Sequence, residues 1–584
     1  MDIQQPVYTE TNNCQDCYKC VRECPVKAIR IESDRASVIS NLCIFCGHCT
    51  AVCPPRAKKI RDDLGRVKRL LNGNDPVYLS LAPSFVSEFS EFSINELVAA
   101  FRRLGFAGVS ETAHGAEMVS LLTAQYMANK KNGLVISTAC PAAVSYIQKY
   151  APAWTPYLIP LPSPMMAHAH LLKQWYGDNI KVVFAGPCVA KKTEADIEQD
   201  LVESALTFQE IRKWFEESGI APGLFFPEEF GNLLPNRAGH GSIYPIEGGM
   251  IRTLQQLREN MPDVQYISIS GLKQIKSALE TSVPEIPQGR LLFLELLACE
   301  GGCINGPGTT TNQGWLQKNM AITSFQRELQ GLELKMTTPV SSCHLQMNTL
   351  RQPAIKARSF SENDIAEALR TVGKASKIDE LNCGGCGYNS CRDFAIAMLN
   401  GMAERQMCVS YMRKVANDKA SVLLQRMPFG VVLVDQRLHI IECNHVFVRM
   451  IGADAQLLWE AMPGLKNADL RKLLKFHSIF TNVLSSGADV IDRDFEHQGR
   501  HYSVSVFTIQ KNRIVCGILQ DLNHSGLAGE EVNRRIRKVI YNNMLTVQKV
   551  AALLGENAVQ TQVLLNTLIN SQEHERESQG GVLH

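Results

Sequence analysis

Cysteine is the residue that most constrains how this chain folds. The 584-residue sequence contains 19 cysteines, and sixteen of them lie in short clusters or in three separated segments of similar character. Closely spaced C-x2-C pairs in a reducing compartment indicate metal or redox chemistry, whereas disulfides belong to oxidising compartments. We therefore expect several metal centres. The other three, Cys343, Cys443 and Cys516, are expected to be small buried hydrophobic residues.

Charge and hydropathy exclude several classes of protein. The net charge is +2, from 60 basic and 58 acidic side chains, so no overall attraction to nucleic acid or to a membrane surface follows. No run of eighteen apolar residues and no basic region followed by an apolar run is visible. We expect a cytoplasmic protein with neither nucleic acid nor membrane as a partner. The length predicts about four domains, at roughly 150 residues each.

The first 60 residues contain one cysteine pattern twice. Residues 14–24 read C-x2-C-x2-C-x3-C-P, and residues 43–54 repeat it. This is the spacing of bacterial two-cluster ferredoxins, in which the fourth cysteine of each run binds the other cluster. One predicted [4Fe–4S] cluster therefore takes Cys14, Cys17, Cys20 and Cys53, and the other takes Cys43, Cys46, Cys49 and Cys24. Paired zinc knuckles are the alternative, and eight cysteines without a histidine favour clusters.

A basic segment follows this ferredoxin-like domain. We expect residues 61–76 to form an amphipathic, solvated helix that connects the first domain to the next. A nucleic-acid-binding stripe is the alternative, but Asp62 and Asp63 interrupt the charges and no aromatic residues alternate with them.

Residues 77–360 have the pattern of an α/β domain. Helical patterns at 93–104 and 142–150 separate short apolar runs that predict buried strands. These strands are predicted at residues 77–81, 134–137, 181–185 and 291–296. Strands that alternate with helices form parallel sheets, and ligands bind at the carboxyl ends of such strands. Three cysteine-bearing segments each follow one of these strands, so we expect them to converge on one cofactor.

The three segments carry specific motifs. The first reads S-T-A-C-P at 137–141, the second G-P-C-V-A-K-K-T-E at 186–194, and the third E-L-L-A-C-E-G-G-C at 295–303. They resemble the signature segments of [FeFe]-hydrogenases, T-S-C-C-P, M-P-C-x-x-K-x-x-E and E-x-M-A-C-P-G-G-C. Four positions depart from the family pattern: Ala139 replaces a cysteine, Gly186 and Leu297 replace methionines, and Glu300 replaces a proline.

The resemblance implies a ligand set. Cys140, Cys188, Cys299 and Cys303 would hold a [4Fe–4S] cluster, and Cys303 would bridge it to a two-iron subsite that carries CO and cyanide. Lys191 would donate a hydrogen bond to a cyanide ligand, Glu194 would orient Lys191, and Ser163 stands at the family's serine–proline helix start. The alternative is a cluster that only transfers electrons or is architectural. A phosphate-binding loop at 186–193 is disfavoured, because Lys191 stands where such a loop needs a glycine.

The departures concern proton transfer. The family's cysteine at position 139 handles protons, and Ala139 has no group that does so. The family also uses glutamates on an upstream helix, but the predicted helix at 117–129 has no acid after Glu117. The sequence therefore predicts a weak hydrogenase that retains its cluster.

A second iron–sulfur domain is predicted at 361–418. Its C-x2-C-G-x3-C motif and a distant fourth cysteine resemble a small [4Fe–4S] domain of corrinoid and acetyl-CoA pathway proteins, and zinc is the alternative. The predicted ligands are Cys383, Cys386, Cys391 and Cys408. A helix at 392–405 is expected to lead toward the last of them.

The C-terminal third is predicted to be a sensor. Residues 419–525 resemble an α+β PAS domain with an antiparallel sheet and a hairpin turn at Gln498-Gly499. His439 and His445 are expected to be structural or surface residues. Residues 526–572 predict helices that form a dimer axis or pack on the sheet, and residues 573–584 predict a disordered tail.

These features together predict an α/β multidomain, sensory-type [FeFe]-hydrogenase. It would bind H2 and relay redox state through its clusters to the PAS domain. Expected partners are H2 and protons, a ferredoxin-like carrier, a kinase or phosphatase, maturation proteins and a second copy of the chain. The alternatives are a catalytic ferredoxin-linked hydrogenase and a non-catalytic iron–sulfur scaffold.

Overall fold

The structure is a computed structural model that describes residues 5–130, 132–225, 231–256, 263–310, 313–329, 352–356 and 358–522. The chain divides into two compact units, Met1–Met407 and Cys408–His584. The division falls inside the predicted 361–418 domain, so that three of its cysteines lie in the first unit and Cys408 in the second. Cys343, the predicted helices at 526–572 and the predicted tail lie outside the described residues.

The N-terminal part of the first unit consists of short elements around the two cysteine runs. In chain order these are β1 (Val7–Thr9), α1 (Lys19–Glu23), β2 (Ile29–Glu32), β3 (Arg35–Val38), α2 (His48–Ala51) and β4 (Lys58–Ile60). β1 pairs with β4 and β2 with β3, both antiparallel. In β2, Ile29 and Ile31 alternate with more exposed polar residues, as expected of a short strand with one buried face.

The prediction of a solvated connecting helix is wrong in part. Residues 58–60 form strand β4, and the helix, α3, is limited to Leu64–Leu71. Arg61 is buried, because its guanidinium forms salt bridges with Asp63 at 3.0 Å and with Asp196 at 2.8 Å. A charge that is paired in this way tolerates burial. The basic segment is therefore a packed junction between the first domain and the central domain.

The central domain alternates strands and helices. Its strands are β5 (Val77–Leu81), β6 (Gly108–Glu111), β7 (Gly133–Ile136), β8 (Lys181–Gly186), β9 (Ser204–Thr207), β10 (Val264–Ser270) and β11 (Leu291–Leu297). Its helices after α3 are α4 (Phe85–Glu88), α5 (Ile94–Arg103), α6 (Ala113–Lys130), α7 (Pro141–Tyr150), α8 (Pro164–Tyr176), α9 (Ala190–Ile197), α10 (Phe208–Glu217), α11 (Gly249–Gln256), α12 (Leu272–Leu279) and α13 (Trp315–Leu329).

Two parallel sheets organise this domain. One has the strand order β6-β5-β8-β9 and the other β10-β11-β7. The four predicted strands are confirmed within a residue or two at each end. Residues at the helix starts stabilise these helices. Ser93 and Glu96 form a capping box at α5. Prolines begin α7 and α8, at a position where the backbone N–H has no partner within the helix. The parallel strands direct their carboxyl ends toward the cysteine segments.

Two helices complete the described part of the first unit. They are α14 (Glu362–Arg370) and α15 (Cys391–Leu399). They pack through Ile365, Leu369, Cys391 and Ala395. α15 is shorter than the predicted helix at 392–405, because Asn400 and Gly401, in the left-handed region at φ 67°, end it.

The second unit contains one antiparallel sheet between helices. Its elements are α16 (Val409–Arg426), β12 (Gly430–Asp435), β13 (Ile440–Cys443), α17 (His445–Ile451), α18 (Ala453–Ala461), α19 (Leu470–Leu473), α20 (Ser478–Ser486), β14 (Val490–His497), β15 (Arg500–Gln510) and β16 (Ile514–Asp521). The strand order is β13-β12-β16-β15-β14. The predicted antiparallel sheet and the turn at Gln498-Gly499 are confirmed. Cys443 and Cys516 are fully buried, as expected.

Among the described residues, no helix is long and apolar enough to cross a bilayer.

Candidate iron–sulfur sites

The eight N-terminal cysteines form two groups in space. Cys20 lies within electrostatic reach of Cys14, Cys17 and Cys53, which means that a charge on one of these thiols acts on the thiol of Cys20. Cys49 lies within the same reach of Cys24, Cys43 and Cys46. These are the two groups that the spacing predicts, and the assignment of each cysteine as a ligand stays a prediction. Burial raises the pKa of the Cys20 and Cys43 thiols to about 11, so bonding to metal is needed to hold them as thiolates at neutral pH.

The loops of these runs turn their backbone amides toward sulfur. Ala28 N–H donates to Cys24 Sγ at 3.3 Å, and Phe45 N–H donates to Cys43 Sγ at 3.3 Å. Gly47, at φ 76°, lets the chain turn sharply before α2. Amide donors of this kind stabilise anionic sulfur and tune the potential of a cluster.

The four central cysteines come from three strand ends. Cys140 follows β7, Cys188 follows β8, and Cys299 and Cys303 follow β11. β7 and β11 belong to one sheet and β8 to the other, so the site lies between the carboxyl ends of two sheets. Cys303 and Cys299 are both within electrostatic reach of Cys140 and Cys188. The structure therefore brings together the four thiols that the sequence placed far apart.

A buried ammonium group lies beside these thiols. Lys191 Nζ donates to Ser163 Oγ at 2.7 Å and to Glu194 Oε2 at 2.7 Å, and only 9% of its side chain is exposed. Ser163 precedes α8, while Lys191 and Glu194 stand one turn apart on α9. Cys188 and Cys303 are within its electrostatic reach. Four thiols with a fixed cationic donor fit a cluster that carries anionic ligands.

The residues that depart from the family pattern have different surroundings. A Cβ atom at Gly186 would lie 2.5 Å from Phe184 Cζ and 2.9 Å from Ala82 Cβ, so the Phe184 ring fills the space beside this glycine. Leu297 is a core residue. Ala139 donates its backbone N–H to Ser137 Oγ at 3.2 Å and packs on an apolar cluster. Its methyl group has no proton to transfer.

Buried acids flank the site. Glu295 Oε1 accepts from Met250 N–H at 3.0 Å, and burial raises the pKa of Glu295 to about 7. It lies within electrostatic reach of Cys303. Burial also raises the pKa of Glu117, whose Oε1 accepts from Gly241 N–H at 3.2 Å. The burial of Glu295 was not predicted, although all the other residues of its strand are apolar, which was the signal for it.

The C-terminal cysteine motif forms a tight loop in the first unit. Cys391 starts α15, and its N–H donates to Asn382 Oδ1 at 2.7 Å. Gly384 and Gly387 adopt φ values of 69° and 92°, which a C-x2-C-G loop requires. Among the described residues, no three Cys, His, Asp or Glu side chains lie close enough to hold a single metal ion. A cubane does not need such a group, because each thiolate binds a different iron atom.

Comparison with known protein families identifies three segments. Residues 75–307 match the iron only hydrogenase large subunit, C-terminal domain. Residues 6–54 match a 4Fe-4S dicluster domain, and residues 379–410 match a putative Fe-S cluster family.

Individual relatives agree with these matches. The chain is 25% identical over 299 residues to iron hydrogenase 1 of Clostridium pasteurianum, which covers 42% of this chain and 52% of that protein. It is 24% identical over 310 residues to the periplasmic [Fe] hydrogenase large subunit of Nitratidesulfovibrio vulgaris, covering 43% and 71%. The chain thus spans about half the length of the Clostridium protein. A solved [FeFe]-hydrogenase from Chlamydomonas reinhardtii aligns over 45% of this chain and 88% of its own, with 17% identity and a TM-score of 0.34.

The fold and the sites define an iron–sulfur protein in which a dicluster domain precedes a hydrogenase-type α/β domain. The central domain of the chain, residues 75–307, is similar to the [FeFe]-hydrogenase family. The cofactors of the chain are [4Fe–4S] clusters together with the H-cluster of this family.

Proposed function

We propose that this protein is a sensory-type [FeFe]-hydrogenase. H2 is bound and slowly turned over at the central site, and redox state is relayed through the [4Fe–4S] clusters to a PAS domain in the second unit. This proposal rests on a contrast between two positions of the central site. Lys191 is held between Ser163 and Glu194 beside the thiols, whereas position 139 is an alanine in apolar surroundings.

The residue roles follow from the family and from the contacts. Cys140, Cys188, Cys299 and Cys303 would hold the [4Fe–4S] part of the H-cluster, and Cys303 would join it to the two-iron part. When bound, that part supplies the metal–hydrogen chemistry. Lys191 would donate to a cyanide ligand, and Glu194 and Ser163 fix the direction of its ammonium group. All of these roles are proposals for this chain.

Proton supply limits the proposed rate. Cleavage of H2 gives two protons and two electrons, and the electrons can enter the clusters while the protons need a carrier. Ala139 offers none. Glu295, with a pKa raised to about 7 by burial, can hold a proton near Cys303, so turnover is slow and not abolished.

The second unit supports a signalling role through its architecture. α16 begins directly after Cys408, a proposed cluster ligand, and its last turn packs through Leu424 on one face of the sheet. α17 to α20 cover the opposite face. The helix that follows Cys408 thus ends against a PAS-like sheet within the second unit. A partner kinase or phosphatase would supply the output, and a second copy of the chain, a ferredoxin-like carrier and maturation proteins are further proposed partners.

Substitution Ala139→Cys tests the proton argument. In fully metallated protein we expect H2 evolution to rise by about 10²-fold or more, the usual contribution of one positioned proton-transfer group. Ala143→Cys, on the buried side of α7, is a control for adding a thiol. An unchanged rate in Ala139→Cys would contradict the argument, and rapid turnover of the unaltered protein would favour the catalytic alternative.

A further inference from the structure

The C-terminal cysteine loop packs directly on the dicluster domain. A Cβ atom at Gly387 would lie 2.9 Å from Val21 Cγ1 and 3.2 Å from Arg22 N, so the two backbones touch at this glycine. Arg22 Nη1 donates to Gly385 O at 3.4 Å. Further along, Ile31 N–H donates to Met402 O at 3.1 Å. These contacts join residues more than 350 positions apart, and all of them lie within the first unit.

Lys27 occupies the centre of this contact. Its Nζ donates to the carbonyl oxygens of Val21 at 3.0 Å, Arg22 at 2.9 Å and Gly387 at 2.7 Å. An ammonium group has three N–H donors, so all are used, and the group is fixed between the two domains. Tyr388 presents its ring 6.0 Å from the same nitrogen.

The fixed ammonium group faces cysteines of both domains. Cys24, from the dicluster domain, and Cys386, from the C-terminal loop, both lie within its electrostatic reach. Lys276 and Glu23 are the other charged groups that act on it. Tyr388 likewise lies within electrostatic reach of both Cys24 and Cys386. One cation is thus shared by two predicted cluster sites.

The dicluster domain also faces the central site. Cys46 lies within electrostatic reach of Cys140 and of Cys299. Lys149 Nζ, on α7, donates to Cys43 O at 2.6 Å. The group of cysteines that contains Cys24 therefore lies next to the central cysteines on one side and next to the C-terminal loop on the other.

We propose that the cluster held by Cys24, Cys43, Cys46 and Cys49 exchanges electrons directly with the cluster held by the C-terminal loop, and that Lys27 raises the reduction potentials of both. In the exchange, one electron leaves a reduced cluster and enters an oxidised one, and no bond or proton changes. Reduction adds a negative charge to a cluster, and a nearby fixed cation stabilises the reduced form. This deepens the proposed relay by giving its order.

Redox titration monitored by electron paramagnetic resonance tests the role of Lys27. Purified protein with its [4Fe–4S] clusters is compared with Lys27→Met and Lys27→Arg, and Cys391→Ser identifies the signal of the C-terminal cluster. In Lys27→Met we expect the reduction equilibria of both clusters to become at least tenfold less favourable, 59 mV for one electron. Lys27→Arg should restore most of both shifts. The control Lys59→Met removes a solvent-facing charge that pairs with Glu10.

The results distinguish a Lys27 charge that acts on both clusters from a Lys27 side chain that only packs between the two loops. If Lys27→Met shifts one cluster only or neither, or if Lys27→Arg shifts both as far as Lys27→Met does, the proposed role of Lys27 is wrong.

A pair of glycine substitutions tests direct exchange. Gly387→Ala forces the two loops apart, while Gly384→Ala has the same left-handed strain but only Tyr388 O, 3.9 Å away, near its new methyl group. In the fully reduced protein we expect magnetic coupling between the two clusters, weakened by Gly387→Ala and kept by Gly384→Ala. Absence of coupling in the unaltered protein, or equal effects of the two substitutions, would overturn direct exchange. The test needs only the [4Fe–4S] clusters, so its failure is distinguishable from the failure of the proposed H2 chemistry.

Discussion

Lys192, the neighbour of Lys191 on α9, carries a fully buried ammonium group. Its Nζ donates to Asp63 Oδ2 at 2.8 Å, to Glu210 Oε1 at 3.0 Å and to Ala205 O at 2.9 Å. These contacts tie α9 to the junction after β4 and to the start of α10. Because Lys191 is the preceding residue, the same contacts fix the part of α9 that presents it to the cysteines.

Removing that charge should destabilise the central domain. Lys192→Met leaves the buried Glu210 carboxylate without its cation and Asp63 with Arg61 alone, and the expected cost is about 3–5 kcal/mol. Hydrogen–deuterium exchange of the α9 and α10 amides measures the loss as a lower opening free energy. The control is Lys213→Met, which breaks an exposed pair with Asp62 at 2.8 Å and should cost less than about 1 kcal/mol. Equal effects of the two substitutions would show that Lys192 has no special role.

Glu111, at the end of β6, gives a pH-dependent prediction. It is fully buried, Ala238 N–H donates to its Oε1 at 3.2 Å, and burial raises its pKa to about 7, with Arg237 and Glu117 as the charged groups nearby. A carboxyl with a raised folded pKa stabilises the protein below its unfolded pKa of 4.5, and that contribution is lost as the pH rises through 7.

The substitution Glu111→Gln removes this dependence. Relative to the unaltered protein, it should gain stability as the pH rises from about 4 to about 8, approaching about 3 kcal/mol. Urea unfolding across this range measures the difference. Parallel stability profiles would contradict the assigned burial effect.

The grouping of the cysteines could be predicted from the sequence, whereas the burial of charged side chains could not. The two groups of ferredoxin-type cysteines follow from local spacing, because a loop of fixed length wraps one cubane. The buried states of Glu111, Glu295 and Lys192 did not follow, since burial depends on which distant elements cover a side chain.

At the scale of elements, apolar runs predicted the strands that lead to the cysteines. β6, β9 and β10 were not predicted: the first two have only four residues each, and β10 mixes polar with apolar side chains. Strand β4 was not predicted either, since two of its three residues are lysines. Lys58 is in fact buried, with Nζ donating to Thr9 Oγ1 at 2.6 Å on the paired strand.

Asn444 links the sheet of the second unit to α16 and α17 through its side-chain hydrogen bonds. Its Oδ1 accepts from Val431 N–H and Phe447 N–H, both at 2.9 Å, and its Nδ2 donates to Leu424 O at 3.1 Å and Phe429 O at 2.8 Å. The side chain therefore caps α17 and holds the end of α16 against β12.

Substitution Asn444→Ala should loosen this junction. Four hydrogen bonds are lost and buried backbone groups remain unpaired, at an expected cost of about 2–4 kcal/mol. Amide exchange should accelerate in α16, β12 and α17 and stay unchanged in the first unit. Ser485→Ala, at an exposed hydroxyl on α20, is the control, and an equal response to both substitutions would contradict the role of Asn444.

At the scale of the whole molecule, the order of the iron–sulfur segments was predictable from motifs, and the family matches at residues 6–54, 75–307 and 379–410 follow the same order. The direct contact between the C-terminal cysteine loop and the dicluster domain was not, because no local pattern encodes a contact between Lys27 and Gly387. The relay proposed here depends on that contact and on the chemistry of the central site.

An infrared spectrum of matured protein shows whether the central site carries the two-iron part of an H-cluster. We expect bands of metal-bound CO and cyanide that disappear in Cys303→Ser while the signals of the dicluster domain remain. Absence of these bands in protein whose [4Fe–4S] clusters are intact would contradict this expectation, and would leave an iron–sulfur protein without hydrogenase chemistry.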